Sequence, residues 1–372
     1  MSFFVYLSIS ILLIYGFLLL LFFIGWIRLE NDVPGKPDSY QFISVVVAFR
    51  NEEKNIGLLL NDLISQNYPG NQYELILVND HSDDKSSEIV ENYKSNSSKR
   101  IVYLNLPDQL TGKKDAVNHG IKSSKGKYIL TTDADCRVPE DWIKTYVQFS
   151  HLTGRPKLII GLVDYGSSSG ILQCLQNLEF LSLMASGAGA AGIRKPIYCN
   201  SANLLFCRDT YLAIKDPLKI NIASGDDTFL LHHVKKLHPK DIYVLKSTDA
   251  IVKTKPAANL KDFVNQRIRW ISKGKYYTDS HIILSSAIVI LSNLTVLGWM
   301  IAALVNAYVF FIIPLICKMI IDWIFMIPVL SFFNKRRLHY FIPILSILYP
   351  VYVVFFTIAG LSGNFTWKGR RY

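Results

Sequence analysis

The sequence predicts an α/β fold: a mostly parallel sheet flanked by one amino-terminal transmembrane helix and a carboxy-terminal membrane block of two to three helices. Two observations carry this reading. Charged residues make up 19% of the 372 residues, yet none falls within residues 1–27, 282–317 or 340–366. About 20 apolar residues cross a bilayer, so each stretch can hold a span. Between them, from about residue 34 to 280, β-branched runs alternate with stretches of helical period, the pattern of a parallel sheet with both faces covered.

A cleaved signal peptide carries a basic start. Here nothing basic precedes the first apolar run, and Arg28 and Lys36 follow it. Residues 1–28 are therefore expected to be an uncleaved anchor. The net charge of +11 raises the question of nucleic acid, but the basic residues concentrate between residues 235 and 275 and in Lys335, Arg336 and Arg337. Basic residues beside apolar blocks favour the cytoplasmic side and attract anionic lipid headgroups, so membrane lipids are the expected partner and nucleic acid is not. The five cysteines are odd in number and contain no CxxC pair, which argues against a zinc site or a disulfide framework and fits a reducing compartment.

"ISVVVAFRNEE" reads as a buried parallel strand running into a polar loop. "NIGLLLNDLISQ" is helical, with Ile56, Leu59, Leu60 and Leu63 on one side. "YELILVNDHSDD" is a second strand, residues 86–93 a helix, "RIVYLNL" a third strand, "KKDAVNHGIKSS" a helix and "GKYILTTDADC" a fourth strand. Ligands of parallel sheets sit beyond the carboxyl ends of the strands. Asn51 and Glu52, Asp80, and Asp133 with Asp135 lie there. Further on, "LIIGLVDY" is a strand, residues 171–185 a helix, and "SGAGAAG" a flexible glycine-alanine loop. "YCNSANLLFCR" is another strand, "GDDTFLLHHVKKL" a helix opening on carboxylates, and "DIYVLKS" a last strand.

Two carboxylates flanking one small residue at a strand end, as in "TTDADC", can face one divalent ion, and hard cations take oxygen ligands. An acidic loop is the bland alternative. Asp80 can accept from a ribose hydroxyl or a base N–H. Gly112, Lys113 and Lys114 precede a helix, where cationic side chains meet phosphate. Asp226 and Asp227 open an apolar helix; one can be an N-cap, leaving the other to act as a base. In "NLKDFVNQRIRWISKGK", Leu260, Phe263, Val264, Ile268 and Ile271 share one helical face, and Gln266, Arg269, Trp270 and Lys273 the opposite one. The apolar face suits the bilayer interface or the domain. The other holds an arginine suited to phosphate and a tryptophan suited to stacking on a sugar, or is simply a solvated basic face.

With these motifs in hand, residues 43–270 resemble the family 2 inverting glycosyltransferases of the GT-A fold, in the membrane-embedded QxxRW branch related to ceramide glucosyltransferase-like enzymes and processive polysaccharide synthases. "VVVAFRNEE" looks like that family's opening strand and donor loop, and "VNDHSDD" like its uridine-contacting segment. "GKKDAVNHG" matches its GKxxAxNxG segment, "DAD" its metal-binding DxD, and "QRIRW" its QxxRW. Two departures stand out. The base motif reads Gly225-Asp226-Asp227 where Glu-Asp is commoner, and His81 follows Asp80 where glycine is usual.

The resemblance implies a donor of the UDP-sugar type held by Glu52, Asp80, Lys113 and Asp133. It implies Mg²⁺ or Mn²⁺ on Asp133 and Asp135, with Asp135 the principal ligand. Asp227 would be the base, Asp226 the alternative; Arg269 would help the diphosphate depart, and Gln266 and Trp270 would line the acceptor side. The acceptor would be a lipid, a lipid-linked sugar or a glycan. Expected boundaries are an anchor over 1–28, a cytoplasmic GT-A domain over 40–258, an interfacial helix over 259–280, transmembrane or re-entrant helices over 281–363 and a basic tail over 364–372. Lys318 and Asp322, at i and i+4 inside an apolar segment, are expected to pair. Pro343 and Pro350 can bend the last apolar stretch into a re-entrant or interfacial helix, keeping Trp367, Lys368 and Arg370 near the active site; a full span with the basic tail outside is the alternative. The whole would be a multi-pass protein of the cell (inner) membrane. A processive synthase is the second reading, and a non-catalytic membrane scaffold the third.

Overall fold

The computed structural model describes the backbone of all residues except 1, 32–38, 167–168, 220–221, 223–224, 307–308, 363–365, 368–369 and 372, and the side chains of these and of 2, 306, 309, 311 and 361–372 are likewise not described. Lys36, Lys368 and the side chains of Trp367 and Arg370 thus lie outside the described residues. In chain order the elements are α1 (Ser2–Arg28), β1 (Ile43–Phe49), α2 (Ile56–Ile64), β2 (Tyr73–Asn79), α3 (Ser86–Asn96), β3 (Arg100–Asn105), α4 (Lys113–Ser123) and β4 (Tyr128–Thr131). Next come α5 (Trp142–Leu152), β5 (Leu158–Gly161), β6 (Val163–Tyr165), α6 (Ile171–Gly192), β7 (Leu204–Cys207), α7 (Arg208–Ala213), α8 (Asp226–Leu237), β8 (Ile242–Leu245) and β9 (Val252–Thr254). The chain ends with α9 (Leu260–Ser272), α10 (Ser280–Asn306), α11 (Ile313–Phe332), α12 (Ile342–Ser362), β10 (Thr366–Trp367) and β11 (Arg370–Arg371).

Two compact units form. One comprises Leu29–Gly166 and Tyr198–Lys255; the other comprises Met1–Arg28, Ser167–Ile197 and Pro256–Tyr372. Residues 167–197, inside the range expected for the sheet domain, cluster with the apolar helices instead.

The first unit holds a seven-stranded sheet of order β3-β2-β1-β4-β7-β5-β8, parallel except where β7 runs against β4 and β5. The chain goes from β1 outward through β2 and β3, then returns to place β4 on the other side of β1. That reversal opens a crevice at the carboxyl edge between them. Register sets Phe49 beside Asn79, and Val46 beside Thr131, so the loops after β1, β2 and β4 leave from one edge. β7 pairs Thr131 with Leu204, and because it is antiparallel its amino end lies at the same edge. Asn203 fixes that end: Trp142 Nε1 and Tyr146 Oη each donate to its Oδ1 at 2.8 Å, and its Nδ2 donates to the carbonyls of Leu162 and Ala250. A buried amide with all these bonds made holds its loop rigidly. The sequence reading lacked α5 and β9, and it joined β5 and β6, which belong to different sheets: β6 pairs with β9.

Among the described residues, the second unit has four helices long and apolar enough to cross a membrane, Phe3–Arg28, Ser280–Val305, Ile313–Phe332 and Arg336–Gly360. The glycine-alanine segment expected as a flexible loop is instead the last two turns of α6. The reason is contact with α1. A Cβ at Gly189 would stand 2.2 Å from the Phe22 carbonyl oxygen, and one at Gly25 would stand 1.9 Å from the Gly189 oxygen. Only glycine lets two helix backbones approach so closely, and small residues are what apolar helices pack through. Pro343 and Pro350 both lie within α12, which continues through them from Ile342 to Ser362. Pro343 falls in the first turn, where its missing N–H is of no consequence. Lys318 and Asp322 do pair, at 2.7 Å, with the Tyr15 hydroxyl on the same carboxylate.

Gly189→Leu should force α1 and α6 apart and cost about 1–3 kcal/mol or more, read as a lower melting temperature in detergent. Gly298→Leu on α10, where a Cβ meets nothing within 4 Å, should leave the melting temperature nearly unchanged.

Candidate active site

The residues singled out in the first unit gather at the carboxyl edge of the sheet. Lys113 begins α4 behind Gly112, whose φ of 96° lies in the region that favours glycine. That conformation turns the Gly112 N–H onto Asp80 Oδ1 at 3.0 Å. Lys113 Nζ then lies 2.6 Å from Asp133 Oδ1, 2.9 Å from Ser201 Oγ and 3.9 Å from Asp226 Oδ2. Burial works against the charge on Lys113, but Asp133, Asp226 and Asp227 outweigh it and raise its pKa above the ordinary lysine value. The lysine is the cation that allows these carboxylates to be neighbours.

Asp133 and Asp135 occupy the turn after β4, closed by the Cys136 N–H on the Asp133 carbonyl at 3.1 Å. Burial pushes the Cys136 thiol pKa up, and the nearby charges of Asp135 and Asp133 push it further. Among the described residues no three His, Cys, Asp or Glu side chains gather as a ready-made metal cage. Two half-buried carboxylates on one turn fit a hard cation of the Mg²⁺ or Mn²⁺ kind, which completes its shell with water and substrate phosphate.

Asp226 and Asp227 open α8, and the cap position belongs to Gly225, in the left-handed conformation at φ 86°. Neither aspartate is the N-cap, contrary to one expectation. Asp227 Oδ1 accepts from the Thr228 N–H and hydroxyl, and its Oδ2 accepts from the Ser201 N–H at 3.3 Å. Ser201 therefore joins the base candidate to Lys113. Sequence reasoning missed it; the signal was its place just before a strand whose antiparallel course carries its start to the site edge.

Asp80 is buried, accepts from Gly112 and lies 3.3 Å from His81 Nδ1. His81 has φ 55°, which explains why glycine is usual there. Glu52 is buried as well; its N–H donates to Ser86 Oγ at 2.7 Å, and its Oε2 accepts from Asn55 Nδ2. Lys114 is buried and donates to the Leu218 and Lys219 carbonyls.

Gln266, Arg269 and Trp270 lie on α9 in the other unit, half-buried and within one turn of each other. Of the expected apolar face, Phe263 is buried and Leu260 exposed, and Arg267 is buried as well. Arg267 was missed because a charge on an amphipathic helix reads as solvated. Glu179, a lone carboxylate in the otherwise uncharged α6, was the available signal: it pairs with Arg267 in two contacts, 3.3 and 2.5 Å.

Lys113→Met should leave Asp133, Asp226 and Asp227 repelling one another, and so lower the melting temperature at pH 7. Lys113→Arg, which keeps the charge, should lose less. An equal loss in both variants would show that lost packing, not charge, is responsible. At position 81, His81→Gly should fold normally, whereas His81→Val, a β-branched residue forced to positive φ, should cost about 1–2 kcal/mol in denaturant titration.

Residues 44–170 match the Glycosyl transferase family 2 pattern. The poly-β-1,6-N-acetyl-D-glucosamine synthase of Staphylococcus epidermidis is 25% identical over 237 residues, covering 62% of this chain and 54% of that protein. Glycosyltransferase AglE of Haloferax volcanii is 26% identical over 234 residues, 63% of this chain and 73% of AglE. This chain spans about half the length of the synthases it matches. In fold it is like the mannosyltransferase PcManGT from Pyrobaculum calidifontis, solved with GDP-Man and Mn²⁺, at a TM-score of 0.58 and 16% identity over 93% of this chain and 98% of that one. Strands β2 to β5, all of β1 but its first residue, and the edge carrying Asp80, Lys113, Asp133 and Asp135 fall within the segment that matches the glycosyl transferase family 2 pattern, and the fold is of the GT-A kind.

Proposed function

We propose that this protein transfers a sugar from a nucleotide-sugar donor, of the UDP-sugar type, to a hydroxyl of a lipid, lipid-linked or glycan acceptor at the cytoplasmic face of a membrane, with inversion at the anomeric carbon. The observation that carries this is the cluster at the sheet edge: one ammonium held among Asp133, Asp226 and Asp227, beside the buried carboxylate of Asp80. A donor with a diphosphate brings negative charge that Lys113 can take up as it leaves Asp133. Asp80 and Glu52 supply acceptors for the nucleoside. Asp133 and Asp135 would hold Mg²⁺ or Mn²⁺, which supplies charge neutralisation for the leaving diphosphate. Asp227 takes the proton of the acceptor hydroxyl as that oxygen attacks the anomeric carbon. The Thr228 and Ser201 N–H groups keep its carboxylate in one orientation. Arg269 is assigned to the leaving group, and Gln266 and Trp270 to the acceptor, by the motif they form.

Nucleotide sugars are made in the cytoplasm, which favours that side for the sheet domain. The charge rule agrees: α1 enters, α10 leaves and α11 returns, keeping Lys335, Arg336 and Arg337 inside. A processive synthase is the second reading, favoured by the name of the S. epidermidis relative.

Membranes carrying the protein, given a panel of radiolabelled nucleotide sugars, should label a lipid-extractable product; label in a polymer would favour the second reading. Excess chelator should abolish transfer and Mn²⁺ or Mg²⁺ restore it, and full activity in chelator would overturn the metal assignment. Asp135→Ala should be folded and inactive. Asp227→Asn should lose about 10²-fold or more in turnover while still binding donor. A crippled Asp226→Asn beside a near-normal Asp227→Asn would exchange the two roles.

A further inference from the structure

Arg267 lies between the residues of the QxxRW motif that carry the proposed roles, and it is 1% exposed. Its guanidinium is committed on every side. Two contacts go to Glu179 on α6, itself buried, and Nη1 donates to Gln266 Oε1 at 2.5 Å. Its Cζ lies over the Phe263 ring, 4.6 Å from the centroid, and over the Trp270 ring, 4.3 Å from the centroid. Glu179 Oε1 also accepts from the Tyr352 hydroxyl on α12 at 2.9 Å. Three helices of one unit thus meet at this pair. A buried ion pair is weak evidence for stability, since an apolar pair of similar volume often serves as well or better. What it supplies here is orientation.

We propose that Arg267 is the positioning residue of the motif, clamped by Glu179 and Tyr352, and that it presents Gln266 as a hydrogen-bond donor toward the acceptor. The argument is chemical. An arginine has only donors, so the atom of Gln266 that meets it must be the oxygen, and the amide NH₂ is turned away. A glutamine held this way offers two N–H groups to a sugar or lipid hydroxyl oxygen and rejects groups that only donate. The same guanidinium stacks on Trp270 and restricts the indole to one orientation. Arg267 touches neither donor nor acceptor in this scheme. The proposal rests on the assignment of Gln266 and Trp270 to the acceptor.

The test uses the full chain in nanodiscs and three variants. Arg267→Lys keeps the charge and loses the fork; Tyr352→Phe removes one hydroxyl from Glu179; Arg267→Met with Glu179→Leu replaces the pair by apolar residues of similar volume. Acceptor KM, turnover, donor affinity by calorimetry and melting temperature are measured for each. A ¹⁹F spectrum with 5-fluorotryptophan is recorded too, the Trp270 resonance being identified by its loss in Trp270→Phe. The expected result is a 10-fold or greater rise in acceptor KM for Arg267→Lys and the double variant, a rise of 3- to 10-fold for Tyr352→Phe, and donor affinity within 2-fold of the parent. The Trp270 resonance should shift or split in step. Wild-type acceptor KM and an unmoved Trp270 resonance in the folded double variant would overturn the proposal. If the double variant fails to fold, the same two readouts on Arg267→Lys and Tyr352→Phe decide it. Absence of transfer by the parent with every sugar tested would sink the functional reading, while the ¹⁹F arm would still show whether Arg267 holds Trp270.

Discussion

Carboxylates from separate parts of the chain share one ammonium, that of Lys113, and the sheet domain is arranged so that they can. Asp133 ends one strand segment, and Asp226 and Asp227 open a helix almost a hundred residues later. Three negative charges at such distances repel unless a cation sits among them. The raised pKa of Lys113 is the counterpart of that repulsion, and the lysine stays charged through the physiological range. Ser201 ties the arrangement together, its hydroxyl accepting from Lys113 and its N–H reaching Asp227. Strand order makes this possible, because β4 lies between β1 and β7, and one edge collects the carboxyl ends of the first and the amino end of the last.

The helical unit answers a different constraint. Where helices are apolar all round, burying apolar surface does little to choose their partners, and shape and polar contacts do more. Gly25 and Gly189 bring α1 and α6 to backbone contact. The Arg267–Glu179 and Lys318–Asp322 pairs specify further neighbours, the first joining α6, α9 and α12 and the second adding Tyr15 of α1 to α11. A charge buried without such a partner is costly, so each pair permits one arrangement of helices and penalises others.

The family match ends at residue 170, one residue before α6 begins. The matched part contains the donor-side candidates Glu52, Asp80, Lys113, Asp133 and Asp135. The base candidates and the QxxRW helix lie beyond it. The likeness to PcManGT nevertheless covers 93% of the chain, so the fold extends past the segment where sequence similarity is dense.

Most strands and helices of the sheet domain were legible because alternation of β-branched runs with helical periods is a local property, and the strand-end carboxylates could be read with them. The apolar spans were legible because charge is missing from them or, in α11, confined to the Lys318–Asp322 pair. What the sequence alone left wrong or unseen depends on contacts between distant residues. The segment "SGAGAAG" looks like a loop until Gly25 of α1 is placed against it. Pro350 looks like a helix end, yet α12 continues through it to Ser362. Arg267 looks solvated until Glu179, 88 residues away, is buried against it. Ser201 looks like loop punctuation until β7 is known to run antiparallel. Composition and period determined what kinds of element this chain forms and which residue types end its strands. Only the tertiary structure decided which distant charges pair, because such a pair is a property of two places in the fold and a sequence period sees one; Lys318 and Asp322, one helical turn apart, were legible beforehand.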